Sequence, residues 1–185
     1  MCACFWDWLS KLPQGSAGFL GSLTGSSIGL VAILAGALFN AHLNRRRDDR
    51  LREEDRVALA STLYAELQGI HRALVENAEH LKKKPPDKDD GFVVPDPPMK
   101  LLPDTLPKMG LLRSETIRKV MDAYALAEGY LGQLVLIGGS FRTDMPDNHP
   151  LLYLDAKHAK FVIEFNEARA GVVKEAMNAL IPYLK

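Results

Sequence analysis

GFLGSLTGSSIGLVAILAGALFNAHLNRRR, residues 18–47, is the stretch that decides the fold. From Leu12 to Asn44 the chain carries no Asp, Glu, Lys or Arg, and three arginines follow at once. A helix crossing the hydrocarbon layer of a bilayer needs about 20 apolar residues, each rising about 1.5 Å. The apolar centre from Phe19 to Leu43 meets that length, so residues 18–44 are expected to form a transmembrane helix.

Charge asymmetry predicts its orientation. One basic side chain, Lys11, comes shortly before the span, whereas Arg45, Arg46, Arg47, Arg50, Arg52 and Arg56 follow it. Lys and Arg are retained on the cytoplasmic side, and acidic residues such as Asp48, Asp49 and Glu53 weigh little in topology. The N-terminus is therefore expected outside and everything after Asn44 inside, with Arg45, Arg46 and Arg47 as the topology-determining residues. A cleaved signal peptide is the competing reading. It calls for a basic start, a shorter apolar run and a small-residue cleavage site. Here the start is MCACFWDW, and the basic cluster follows the apolar run.

About 140 residues follow Asn44, the size of one domain with its own core. Formal net charge is zero, so no nucleic-acid partner is expected. Both cysteines, Cys2 and Cys4, precede the span, which argues against a disulfide framework or a cysteine zinc site in the soluble part and fits a reducing cytoplasm.

Five segments are expected. Residues 1–17 form a short interfacial N-terminus, where Phe5, Trp6 and Trp8 suit the headgroup layer. Residues 18–44 are the span. Residues 45–84 continue it as a juxtamembrane stretch and the first bundle helix, because no proline occurs between Pro13 and Pro85. There Ala60, Leu63, Leu67, Ile70, Leu74, Asn77 and Leu81 recur at steps of three and four, the seam of a helix that packs on helices. Asn77, as a polar seam position, is either an ordinary solvated side chain or a register device. Residues 85–112 hold seven of the eleven prolines and are expected to be a loop. That loop is either docked through Phe92, Val93, Val94, Leu101 and Leu102 or free to bind a protein partner.

Residues 113–185 complete the bundle as a helical hairpin. Ser114 is the expected N-cap of its first helix, with Ile117, Met121, Tyr124, Leu131 and Val135 on one face and Gly138-Gly139 as its stop. The run Leu134–Ile137 has strand character but no evident strand to pair with. After the turn at 144–150, a last helix buries Leu154, Phe161, Phe165, Ala168, Val172, Ala176 and Leu180. The fold class expected is all-α: one N-terminal transmembrane helix continuing into a cytoplasmic antiparallel three-helix bundle.

Within the span, Gly21, Gly25 and Gly29 are spaced by four, and Ala32 and Gly36 extend the stripe. In lipid, close backbone approach through small residues drives helix pairing, so these positions are the expected helix-association site and the chain is expected to be a homo-oligomer. A glycine-rich helix that is merely permissive is the alternative.

No cofactor, metal site or catalytic group is expected. His42, His71, His80, His149 and His158 show no pairing at three or four residues. No Walker loop or dinucleotide fingerprint occurs. Arg142 and His149 have nearly the spacing of a small helical nuclease, but Pro146 interrupts them.

Two stretches carry a resemblance. GALFNAHLNRRRDDR, residues 36–50, and the segment from Lys108-Met109-Gly110-Leu111-Leu112 to Tyr124 resemble parts of small bacterial single-pass membrane proteins of unknown function. The resemblance implies an N-terminal span, an Arg-rich exit and a cytoplasmic helical domain at the bacterial inner membrane. The expected role is non-enzymatic self-assembly and interaction, as a sensor or scaffold whose first partner is the lipid bilayer. The alternatives are an oligomeric membrane-disrupting effector or channel of a defence system, and a membrane-anchored helical hydrolase.

Overall fold

A computed structural model describes residues 14–87, 90–97, 99–142 and 151–185. The expectations for the aromatic N-terminus, Cys2, Cys4, the turn at 144–150, the Arg142 side chain and His149 lie outside the described residues. The chain divides into two compact units, Met1–Leu51 and Arg52–Lys185.

Helix α1, Gln14–Lys83, is 70 residues long. Nothing in its sequence removes an amide donor until Pro85-Pro86 follows it, and His80, Lys82 and Lys83 in its last turn suit the negative end of the helix dipole. Within Met1–Leu51 its described large apolar side chains are exposed, from Leu43 at 47% to Leu38 at 72%.

Arg52–Lys185 holds the core. Leu59, Ala60, Leu63, Leu67, Ile70, Leu74, Ala78 and Leu81 of α1 are all buried. The seam spacing is therefore borne out, except that Ala78 takes the place expected for Asn77, which is partly buried. Helix α3, Ser114–Glu128, packs on helix α5, Ala159–Leu180. Between α1 and α3 lie the short helix α2, Leu102–Thr105, and a 3₁₀ stretch, Leu106–Leu111. Helix α4, Tyr130–Leu136, follows α3 after Gly129.

The fold is mostly helical but not all-α. Strands β1 (Gly91–Pro95), β2 (Ser140–Arg142) and β3 (Leu151–Asp155) make an antiparallel sheet in the order β1-β3-β2. Gly91 faces Asp155 and Pro95 faces Leu151. Val94, Leu152 and Leu154 carry the sheet into the helical core. A Cβ on Gly91 would overlap the Tyr153 ring, so a larger residue at this strand end makes that ring move.

Five local expectations are corrected. Residues 85–112 are not a loop throughout: they contain β1, α2 and the 3₁₀ stretch. Ser114 lies inside α3, and the cap position is Arg113, in extended conformation and without a side-chain capping bond. The first hairpin helix breaks at Gly129, and Gly138, at φ +107°, makes the later turn into β2. Leu154, expected on the last helix, belongs to β3, whereas the run Leu134–Leu136 is helical as its place on the first hairpin helix implies. The buried face of α5 is Val162, Asn166, Arg169, Ala170, Val173, Ala176 and Leu180. Of the expected face, Ala176 and Leu180 are buried on this helix, whereas Phe161 and Ala168 are exposed. The two phenylalanines drew the expected stripe one position away from a face that contains an amide and a guanidinium.

Candidate functional site

Met1–Leu51 carries one candidate. Its part of α1 is long and apolar enough to cross a membrane, and no residue of its most apolar window is buried. Gly21, Gly25, Gly29, Ala32 and Gly36 recur at steps of three and four along this helix, which sets them on one face. A Cβ built on Gly18, Gly21, Gly25, Gly29 or Gly36 would meet nothing within 4 Å. The stripe is therefore open to a second surface. The Ser27 hydroxyl donates to the Leu23 carbonyl at 2.8 Å, so its polarity is satisfied within the helix, as a bilayer requires. Asn40, His42, Arg45, Arg46 and Arg47 are exposed on the same helix.

Arg52–Lys185 carries three polar arrangements. In the first, Glu66 holds the proline-rich segment. Its Oε2 accepts from the Tyr124 hydroxyl at 2.6 Å, and its Oε1 accepts from the backbone amides of Leu101, at 2.7 Å, and Lys100. One carboxylate thus ties α1, α3 and residues 100–101 together through bonds to a charged acceptor, the stronger kind. Burial and the neighbouring Glu66 carboxylate together push the Tyr124 hydroxyl far above the usual tyrosine range.

The second arrangement lies within the core. The Tyr130 hydroxyl donates to Asn166 Oδ1 at 2.8 Å. Arg169 lies over the Phe165 ring, with its guanidinium carbon 3.3 Å from the centroid, and donates to Gln133 Oε1. Asn166 Nδ2 and Arg169 Nε are buried without a protein partner. Burial pushes the Tyr130 hydroxyl up to about 12 and lowers Arg169, since each charged form loses water.

The third is a cleft of about 430 Å³ at the start of α3, where Arg56, Arg113 and Lys119 converge around Tyr183. None of the three arrangements has a sequence motif. Their members come from separate elements, so the spacing of residues along the chain does not reveal them. Among the described residues no group of three His, Cys, Asp or Glu is gathered as a metal site.

Comparison with protein-family models, curated proteins and solved structures finds no match.

Proposed function

We propose that this chain is a single-pass protein of the bacterial inner membrane whose helical domain, a bundle of its long helices, works as a non-enzymatic platform for self-assembly and interaction. Its N-terminus lies outside and Arg52–Lys185 lies in the cytoplasm. One observation carries the reading: the described large apolar side chains from Phe19 to Leu43 have no protein cover. A helix apolar on every side is stable when lipid takes the place of a protein core. The arginines after Asn44 support the orientation, and the open glycine stripe supports pairing of two copies.

The test is topology in cells. A reporter active only in the periplasm gives signal when fused before Lys11 and none when fused after Lys185. The opposite pattern reverses the orientation. Release of the intact chain by carbonate extraction removes the anchor.

A further inference from the structure

The cleft at the start of α3 is built around one hydroxyl. Tyr183 Oη accepts from the Arg113 backbone amide at 3.2 Å and lies 3.4 Å from Thr116 Oγ1. Either of the two hydroxyls can be the donor in this contact. Arg56 passes over the Tyr183 ring, 5.7 Å from its centroid. It gives Nη2 to Glu53, while its Nε is buried without a partner. Lys119 lies 3.4 Å from Glu115 in an exposed pair, and such pairs hold weakly enough to exchange partners. Arg113 has no carboxylate partner among the described residues.

The backbone adds to this positive side. The first helical bond of α3 runs from the Ile117 amide to the Arg113 carbonyl, so the amides of Ser114, Glu115 and Thr116 have no acceptor within the helix. No side chain caps them. Arg56, Arg113, Lys119 and Tyr183 line a space of about 430 Å³ beside this helix start, in which Glu115 is the one carboxylate of the lining.

We propose that this cleft binds a phosphate-bearing anion. A phosphate presents three acceptor oxygens, enough to take Arg113, Lys119 and the α3 amides at once. It would draw Lys119 from Glu115, whose exposed pairing is weak. A soluble phosphate and the headgroup of an anionic lipid share this chemistry.

The test uses the full chain in two arms. In neutral detergent, inorganic phosphate is titrated and followed by ³¹P line broadening. In nanodiscs of phosphatidylcholine, with or without phosphatidic acid, protection of the amides of 114–116 from hydrogen exchange is measured. Binding in the first arm identifies a free phosphate, and protection that depends on phosphatidic acid identifies the lipid. The double substitution Arg113→Gln with Lys119→Gln weakens the response about tenfold or more, whereas Arg118→Gln, exposed on the same helix but outside the cleft, leaves it unchanged. Lys119→Gln alone repeats the measurement if the double variant loses its fold. Silence in both arms, an equal loss in Arg118→Gln, or no loss in the cleft variants overturns the site.

Discussion

Residues 19–43 and 59–81 belong to one helix and are both rich in leucine, yet they meet opposite surroundings. In the second, the residues of one face are at most 6% exposed and the polar side chains turn outward. In the first, every described large apolar side chain is at least 47% exposed, and no charged face exists. Helix propensity does not separate them. The distribution of charge around the axis does: a single apolar stripe calls for protein on one side, whereas an unbroken apolar girth calls for an apolar medium all round.

The sharpest way to break this contrast is to truncate one leucine in each. Leu67→Ala removes a fully buried side chain from the core and lowers the unfolding free energy of Arg52–Lys185 by about 2–5 kcal/mol. Leu34→Ala changes it by less than about 0.5 kcal/mol. Urea titration of the detergent-solubilised chain, followed by tyrosine fluorescence, measures both. Equal losses would mean that residues 19–43 pack on protein.

A smaller effect sharpens the buried side. Below pH 10 Tyr124 and Tyr130 keep their protons whether the chain is folded or not, and stability is insensitive to them. Above it the unfolded chain ionises, but the folded one holds Tyr130 protonated to about 12 and Tyr124 beyond. Stability therefore falls between pH 10 and 12 by about 1.4 kcal/mol per pH unit for each tyrosine. Tyr130→Phe removes about half of that slope. An unchanged slope would show that this hydroxyl is solvated.

The smallest effect on stability belongs to the glycine stripe. Gly25→Ile and Gly29→Ile leave the urea midpoint of Arg52–Lys185 unchanged, since the added carbons enter open space. Cross-linking of copies in membranes drops instead, because branched side chains hold two backbones apart. Undiminished cross-linking removes the stripe from the assembly.

Much of the helical frame was legible because its signals are local. The uncharged run ending at Arg45 and the seam from Ala60 to Leu81 can be read without knowing what they touch. The sheet was not legible. Phe92-Val93-Val94 sits among prolines, and its partner Tyr153 region is far along the chain, so no hairpin turn joins the pair. The last helix was misread at Asn166 and Arg169, where buried polar groups interrupt the apolar period. Those same groups, with Tyr130 and Glu66, make the polar arrangements that pattern alone could not assemble, because each bond joins elements distant in sequence.

The order β1-β3-β2 has a consequence for how the chain acquires its shape. The central strand is the last of the three to be synthesised, and β1 and β2 pair only with it. No partial sheet is available on the way: until Leu151–Asp155 leaves the ribosome, both outer strands wait with open backbone edges. The long loop closure that joins β1 to β3 also makes this a late contact. Pro95, which offers no amide to an intruding strand, is well placed to keep the waiting edge from the wrong neighbour.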